Sequence, residues 1–433
     1  FGGNKEKVKH FIDLFDENII IKTGLINIKS DPSNAEVLLN GEKQYNFLQK
    51  YLNKNKSNLQ TPAVITNLLP KEYAITLKKE NYWDWNRVVN LKANEAINIG
   101  EIILFKKQLP ESVINEEIIS VLESPNNTKA LIQTENNRYI YNYANGNILK
   151  LEYYAPDSNV AWSPEEDTII VNNSIIDSET GVQILKIADE QKTKKIFWLD
   201  QYSVIQITDK DYRNININTK EIKIIKTSDN FADYSIKNAR INKDKLYLIL
   251  LSKNGLTELN ILNIDTLENI ISIKFNDQGE YQILSFAKNN LYILNKFKKQ
   301  ISTLDLNSLI FKENKIKNFS NIEVLNKDTL LLYNDQEIWE YSISEDSIRR
   351  IVKTKDRIEQ VKAYEKKNYV FYSTEVGIYA IELLDKDKLK VKGNIIKLTS
   401  LKNINHLTFF EKDETIFFSA KSTQKNSYYK LSL

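Results

Sequence analysis

The chain has 433 residues, with 60 Lys and Arg residues against 57 Asp and Glu residues. A net charge near zero does not give the basic surface that nucleic-acid binding needs, and the absence of Cys excludes disulfides and thiolate chemistry. The length predicts two or three domains, one of which can be a large all-β domain with a substantial core.

Residues 1–23 are predicted to be an N-terminal helical segment. Lysines are interspersed with apolar residues at the i, i+3, i+4, i+7 spacing of one helix face: Val8, Phe11, Ile12 and Phe15. We expect either a short helix packed on the next domain or a juxtamembrane segment near lipid headgroups. No apolar run approaches the ~20 residues of a membrane span, so the second alternative places a membrane anchor upstream of Phe1.

Residues 24–107 have the pattern of a small β-sandwich. Alternating segments such as Leu25–Lys29 and Ala35–Leu39 predict short strands, and Asn40-Gly41 is a strong hairpin signal. Further short strands follow as far as Phe105, separated by turns at the spacing typical of antiparallel sandwiches.

The same region resembles a PEGA domain. The stretches that carry the resemblance are INIKSDPSNAEVLLNGE and TPAVITNLLPKEYAITLKKENYWDWNRVVNL. The resemblance implies an immunoglobulin-like sandwich, usually outside the cytoplasmic membrane in prokaryotic envelope proteins. Two features depart from the family pattern: Lys71 stands where Gly is usual after the Pro, and the segment Glu42–Gln60 is longer than an ordinary hairpin loop.

The long segment Glu42–Gln60 has two interpretations. Its apolar residues can form one face of a short helix: Phe47, Leu48, Tyr51 and Leu52. Such a helix would cover a sheet edge. Alternatively, Lys50, Tyr51 and Lys54 belong to a contact surface for a partner.

Trp83 and Trp85 alternate along a predicted strand, so one faces the core and the other faces outward. The Tyr-x-x-Trp spacing of the resemblance favours Trp85 as the packed residue. Trp83 is then either partly covered or an exposed aromatic of the kind enriched at interfaces.

Residues 108–433 carry a repeat. Within Asp244–Phe275 three short apolar runs, rich in Ile, Leu and Tyr, are separated by polar turns and predict three strands. Similar units recur at a period of about 40 residues, which is typical of the four-stranded blades of a β-propeller. The segment VAWSPEEDTIIV also resembles the Trp-Ser-Pro-Asp-Gly stretch of TolB-like propellers.

The repeat predicts eight blades, with seven as the alternative if residues 155–190 are irregular. The eighth unit ends after its third strand, Ser427–Leu433. An open edge there would leave backbone N–H and C=O groups unpaired. We therefore expect Pro110–Ile114, which precedes the first blade strand Ile118–Glu123, to supply the missing strand.

No local pattern indicates catalysis, a metal or a cofactor. The two histidines, His10 and His406, lie in different predicted modules, and no G-x-S-x-G elbow, P-loop or G-x-G-x-x-G motif occurs. Two Asp-Lys-Asp triplets, at 209–211 and 385–387, lack the Gly and Glu of an EF-hand loop and fall in predicted turns.

The favoured hypothesis is a non-catalytic envelope protein in which a PEGA module presents a propeller to a protein or a cell-wall polysaccharide. A glycan-acting enzyme with two carboxylates in the propeller channel is the second hypothesis, because such residues come from distant strands and leave no local signature. A cytosolic interaction scaffold is the third. The three predicted segments are residues 1–23, 24–107 and 108–433.

Overall fold

The computed structural model describes most of the chain: residues 22–45, 58–151, 160–187, 193–208, 211–227, 234–275, 279–312, 316–384, 394–422 and 425–433. The expected N-terminal helix and the insertion residues Lys50, Tyr51 and Lys54 lie outside these ranges. The described residues fall into two compact units: those within Phe1–Gln108 and Leu384–Ile396, and those within Leu109–Leu383 and Lys397–Leu433.

The first unit contains two sheets. Its strands are β1 (Gly24–Asp31), β2 (Glu36–Leu39), β3 (Glu42–Lys43), β4 (Ala63–Leu68), β5 (Lys71–Lys78), β6 (Trp85–Leu91) and β7 (Ala96–Ile103). One sheet has the order β4-β1-β7 and the other β3-β2-β5-β6. The alternating inward side chains of both sheets form one apolar cluster around the fully buried Trp85. The pairing of β1 with β7 is parallel, which the strand pattern did not predict.

The motif residues of the first unit hold its turns together. Asn40 and Gly41 have φ angles of 51° and 83°, as the predicted hairpin requires. The Thr61 hydroxyl lies 2.5 Å from the Ser30 hydroxyl and accepts the Ala35 N–H at 3.0 Å. The Ser-Asp-Pro turn is therefore fastened to the Thr-Pro pair although about thirty residues separate them in sequence.

Lys71, where the family has Gly, begins β5 and does not adopt a positive φ. The left-handed position of this turn is Asn67, with a φ of 58°. The Tyr73 hydroxyl donates to the Leu69 carbonyl at 2.9 Å and fixes the turn from the other side.

The second unit contains eight four-stranded sheets among the described residues. The first half runs β8 (Glu111–Ile114), β9 (Ile118–Glu123), β10 (Lys129–Thr134), β11 (Arg138–Asn142), β12 (Ile148–Leu151), β13 (Val160–Trp162), β14 (Thr168–Val171), β15 (Ser174–Asp177), β16 (Gln183–Lys186), β17 (Thr193–Trp198), β18 (Ser203–Thr208), β19 (Asp211–Asn216), β20 (Ile222–Thr227), β21 (Tyr234–Asn242), β22 (Lys245–Ser252), β23 (Thr257–Asn263) and β24 (Asn269–Lys274). The second half runs β25 (Tyr281–Ala287), β26 (Asn290–Asn295), β27 (Gln300–Asp305), β28 (Phe311–Lys312), β29 (Asn321–Val324), β30 (Thr329–Tyr333), β31 (Glu337–Ser342), β32 (Ser347–Lys353), β33 (Ile358–Tyr364), β34 (Tyr369–Thr374), β35 (Gly377–Glu382), β36 (Ile395–Thr399), β37 (Lys402–Phe410), β38 (Thr415–Ser422) and β39 (Lys425–Ser432).

The sheets match propeller blades. Seven sheets use four consecutive strands each, from β9–β12 to β33–β36, and the region 155–190 contributes the regular sheet β13–β16. The eighth sheet has the order β37-β38-β39-β8. Its last pairing joins Tyr428 to Ile114 and Tyr429 to Ser112. The expectation that the segment before the first blade strand completes the last blade is confirmed.

The first strands of successive sheets are neighbours from β13 to β37, and β37 also neighbours β9, so the sheets follow one another in a ring. Two tryptophans fasten neighbouring sheets. The Trp162 indole N–H donates to the Leu122 carbonyl at 3.1 Å, and the Trp198 indole donates to the Ala161 carbonyl at 2.9 Å. Each indole reaches from the end of one first strand to the first strand of the preceding sheet, which confirms their predicted inter-blade role. Trp339 packs on a cluster shared by the sheets β25–β28 and β29–β32, as also expected.

Candidate functional site

Of the residues proposed from the sequence as a binding surface, the structure describes Trp83. It is 36% exposed, whereas Trp85 is fully buried, so the expected division between the two is confirmed. The Trp83 backbone N–H donates to the Phe105 carbonyl at 2.8 Å, and the Lys107 ammonium lies 5.4 Å from the centre of its ring. Whether Trp83 binds a partner remains a prediction.

Asp211 and His406, neither of which the sequence predicts to be a metal ligand, lie on strands of the propeller. The Asp211 carboxylate accepts the Thr208 hydroxyl at 2.7 Å and the Arg213 guanidinium at 2.9 Å, which stabilises a tight turn. Burial lowers the pKa of His406, which lies in β37 with a φ of 52°. The other Asp of the first triplet and the whole triplet 385–387 lie outside the described residues.

A cleft of about 920 Å³ opens on one face of the propeller. It lies on the face that carries the turns between the second and third strands of each sheet. Four loops of the sheets β25–β28, β29–β32 and β33–β36 line it. The lining residues are Gln282, Leu294, Lys296, Lys299, Asn318, Ser320, Asn321, Asn334, Asp335, Gln336, Lys355, Arg357, Ile358 and Glu359, and we call this site the basic cleft.

Backbone hydrogen bonds hold the cleft loops to one another. In the β26–β27 turn, the Lys296 N–H donates to the Glu280 carbonyl at 2.9 Å, and the Lys299 carbonyl accepts the Phe319 N–H at 3.2 Å. In the β30–β31 turn, the Asp335 carbonyl accepts the Ile358 N–H at 2.7 Å. The cleft is therefore formed by interlocked turns rather than by independent loops.

The β30–β31 turn is also ordered by its own side chain. The Asn334 side-chain oxygen accepts the N–H groups of Gln336 and Glu337 at 2.9 and 2.8 Å. Its amide nitrogen donates to the Asn318 carbonyl at 2.8 Å, across to the loop that enters β29. This side chain thus fixes two of the four cleft loops.

Cations outnumber carboxylates in the basic cleft. Four lining residues are Lys or Arg and two are Asp or Glu. The Asp335 carboxylate is shared by Lys299 at 3.5 Å and Arg357 at 3.7 Å, and all three side chains are more than half exposed. Ion pairs this exposed are weak, so the cations are available to a ligand that brings its own negative charge.

A second polar group lies in the propeller channel, on the innermost strands of three sheets. The Lys362 ammonium on β33 is 3.6 Å from the Glu123 carboxylate on β9, and both side chains are about a quarter exposed, at 24% and 23%. Glu323 on β29 accepts the backbone N–H of Ala363. We call Glu123, Glu323 and Lys362 the channel cluster.

Burial and mutual charge set the pKa values of the channel cluster. Burial raises the pKa of Glu123, and the charge of Lys362 offsets this only in part. The same two opposing causes leave the pKa of Glu323 raised. Burial alone would lower the pKa of Lys362, but the charges of Glu323 and Glu123 outweigh it and the pKa is raised. The Lys362 ammonium is therefore the shared counter-charge of the Glu123 and Glu323 carboxylates.

Neither the basic cleft nor the channel cluster was predicted from the sequence. The cleft residues come from four loops spread between 282 and 359, and the cluster residues from strands that are far apart in the chain. Among the described residues, no group of three or more His, Cys, Asp or Glu side chains could hold a metal ion. Within the same ranges, no helix has the length and apolarity to cross a bilayer.

Comparison with known proteins gives a match for each unit. The PEGA domain model matches residues 51–102. No curated protein matches the chain significantly. Among solved structures, the chain is similar to the Dos1 propeller, with 14% identity and a TM-score of 0.53, over 76% of this chain and 95% of that one.

Two further solved structures are similar at lower identity. Sqt1 of Saccharomyces cerevisiae has 11% identity and a TM-score of 0.50, over 76% of this chain and 99% of that one. BamB from Moraxella catarrhalis has 11% identity and a TM-score of 0.46, over 74% and 99%. Identities this low bear on the fold alone. The chain thus combines a PEGA domain with a β-propeller.

Proposed function

We propose that this chain is a non-catalytic protein of the prokaryotic cell envelope, in which the PEGA domain presents the propeller to a protein or a cell-wall polymer. The observation that carries the proposal is the basic cleft, a concave site of about 920 Å³ lined by convergent polar groups. Concave sites of this size are the usual places where ligands bind, and the almost entirely polar lining of this one suits a polar or charged ligand. Its interlocked loops reduce the entropy lost when a ligand binds.

The envelope location rests on the first unit. The PEGA match at residues 51–102 supports it, since the resemblance implies a position outside the cytoplasmic membrane. We take the three-stranded and four-stranded sheets of this unit to be an immunoglobulin-like sandwich. The absence of Cys is compatible with export. Fractionation of cells that express the full-length protein tests the location: recovery in the soluble cytosol would remove the envelope proposal.

Binding is tested by co-sedimentation of the purified full chain with isolated cell envelopes. The double charge reversal Lys355→Glu with Arg357→Glu changes the basic cleft. The matched control, Lys366→Glu with Lys412→Glu, makes the same change of charge in turns at the opposite ends of the strands. We expect the first variant to lose most of the bound fraction and the control to keep it. Equal sedimentation of all three proteins would contradict a role for the cleft.

The channel cluster favours a second candidate, a glycan-acting enzyme. Glu123 and Glu323 both have raised pKa values, as a general acid requires. The ion pair with Lys362 favours instead a structural role for Glu123. Release of reducing sugars from purified cell-wall polysaccharide, lost in both Glu123→Gln and Glu323→Gln, would support the enzyme and overturn the non-catalytic proposal.

A further inference from the structure

The partner class of the basic cleft can be argued further, on the basis of the proposed binding function. The turn between β26 and β27 carries four consecutive exposed side chains, Lys296, Phe297, Lys298 and Lys299. Phe297 is 76% exposed, an unusual state for a large aromatic side chain in the middle of a basic turn. Aromatic residues are enriched at the contact centres of protein interfaces, whereas Lys is depleted there, so Phe297 is the candidate anchor residue of this turn.

The Phe297 turn is held in place rather than loose. The Asn295 side-chain oxygen accepts the Lys298 N–H at 3.0 Å, and Asn295 itself is buried. Lys296 is bonded through its backbone to Glu280, and Lys299 through its carbonyl to Phe319. The phenyl ring therefore projects from a fixed turn that also supplies two of the cleft cations.

The electrostatics of the cleft select a negatively charged ligand. Lys296 pairs with Glu280 at 2.6 Å, but these side chains are 44% and 58% exposed, so the pair can be exchanged for a ligand carboxylate at little cost. Arg357 presents a planar fork that matches a carboxylate, and its present partners Asp335 and Glu359 lie at 3.7 and 3.5 Å. A ligand with several carboxylates would replace these loose pairs with charge-assisted hydrogen bonds.

The remaining lining groups suit a peptide better than a sugar. Amide side chains supply donors and acceptors for a peptide backbone: Gln282, Asn318, Asn321 and Gln336. Among the described lining residues none is aromatic, so the cleft floor offers no ring on which a sugar face could stack. The aromatic ring lies instead at Phe297, where it can receive one apolar side chain of a peptide.

We infer that the basic cleft and Phe297 together bind an acidic peptide segment of a partner protein, with its carboxylates on Lys296, Lys299, Lys355 and Arg357 and an apolar side chain against Phe297. The lining residues come from three neighbouring sheets, so an extended segment bound along the cleft would cross all three. Because the recognition is largely electrostatic, binding weakens as salt is raised.

Fluorescence anisotropy with the full chain tests this inference. The probe is a short labelled peptide in which Asp and Glu alternate with Leu, and a second probe replaces every acidic residue by Asn or Gln. We expect the acidic probe to bind at least about tenfold more tightly than the neutral one. Phe297→Ala should weaken the acidic probe by about tenfold, as expected for an aromatic contact at an interface centre.

Matched controls separate the cleft from general charge effects. Leu256→Ala removes another exposed apolar side chain, 54% exposed, from the equivalent turn between β22 and β23, and should leave binding unchanged. Lys355→Glu with Arg357→Glu should abolish binding, whereas Lys366→Glu with Lys412→Glu should not. Equal loss in Phe297→Ala and Leu256→Ala, or equal loss in both double variants, would overturn the inference.

An acidic polysaccharide, polygalacturonate, is the competing probe. If it binds through Lys355 and Arg357 while the acidic peptide does not, the peptide class is wrong and the proposed function at this cleft is supported. If neither probe binds, the inference is overturned, and the envelope co-sedimentation decides separately on the proposed function.

Discussion

The hydroxyl oxygens of Tyr143 and Tyr428 lie 2.9 Å apart in a buried site, although the residues are 285 positions apart in the sequence. Tyr143 belongs to the first sheet region and Tyr428 to β39 of the eighth. Around them, Tyr141, Phe410 and Phe417 form an aromatic cluster with ring centres 4.5 to 6.4 Å apart. The first and eighth sheets are joined by this contact, and the outer strand β8 completes the eighth sheet.

Removal of one of these hydroxyls should destabilise the propeller. Tyr143→Phe leaves the Tyr428 hydroxyl without this partner in a buried site, and we expect a loss of about 1–3 kcal/mol in the free energy of unfolding. The double variant Tyr143→Phe with Tyr428→Phe removes both polar groups and should cost less than the sum of the single changes. Urea denaturation measures all three. Strict additivity would show that the two hydroxyls do not interact.

Substitution of Ile114, the buried residue of the closing strand β8, should destabilise the propeller. Ile114 is 6% exposed and packs in the cluster that joins the first and eighth sheets. Ile114→Ala should cost about 2–5 kcal/mol, because it leaves a cavity between these sheets. We also expect faster amide hydrogen exchange in β39, the strand that pairs with β8.

Leu109→Ala is the control for the closing strand, because Leu109 is 88% exposed and lies just before β8. It should change neither stability nor exchange. If Ile114→Ala left exchange in Lys425–Ser432 at the wild-type rate, the closing role of β8 would be contradicted.

The channel cluster should make stability depend on pH. Burial raises the pKa of Glu323, and a carboxyl with a raised folded pKa contributes stability that is fully present below its unfolded pKa. That contribution is lost as pH rises through the folded pKa. Glu323→Gln removes this loss, so its free energy of unfolding relative to wild type should increase from acidic to neutral pH. The increase is about 1.4 kcal/mol per unit of pKa difference, and a flat difference across the range would argue against the raised pKa.

Loss of the Lys362 charge should lower the free energy of unfolding more than loss of either carboxylate of the channel cluster. Lys362→Met leaves Glu123 and Glu323 without their common counter-charge, so we expect a loss of roughly 3 kcal/mol at neutral pH, near the lower end for broken buried pairs. The loss should shrink at acidic pH, where both carboxyls become protonated. Thermal unfolding at several pH values measures this, and a loss that does not depend on pH would point to packing instead of charge.

Substitution of Thr61 should destabilise the first unit without affecting the propeller. Thr61 is 1% exposed, and its hydroxyl bonds both the Ser30 hydroxyl and the Ala35 N–H. Thr61→Val leaves the Ala35 N–H unpaired, whereas Ser30 keeps its hydrogen bond to the Pro32 carbonyl at 2.7 Å, so we expect a loss of about 1–3 kcal/mol in the free energy of unfolding. Hydrogen exchange should accelerate within residues 24–103 and stay unchanged in residues 111–433. Acceleration in both ranges would show that the units do not unfold independently.

The repeat and its closure could be predicted from the sequence because they follow from local patterns. Short apolar runs between polar turns define strands, and the missing fourth strand of the last unit requires a donor, which is β8. Trp85 could be assigned to the core because its spacing from Tyr82 belongs to the PEGA pattern.

The candidate sites could not be predicted because they depend on three-dimensional proximity. Glu123 and Lys362 meet only because the ring returns β37 to β9 and brings the innermost strands together. The basic cleft is assembled from turns that look like ordinary Asn-rich and Lys-rich hairpins in the sequence. Phe297 was not predicted from the sequence, although an aromatic residue within a Lys-rich turn is a local pattern.

Site-specific photo-crosslinking in cells tests the central claim that the basic cleft is the binding face. A photoreactive amino acid replaces Gln336, an exposed cleft residue, or Thr219, an exposed residue in the β19–β20 turn at the opposite ends of the strands. We predict a discrete crosslinked product in the envelope fraction from position 336, lost on addition of Lys355→Glu with Arg357→Glu, and none from position 219. A product from position 219 alone, or one from position 336 that survives the charge reversal, would contradict the account.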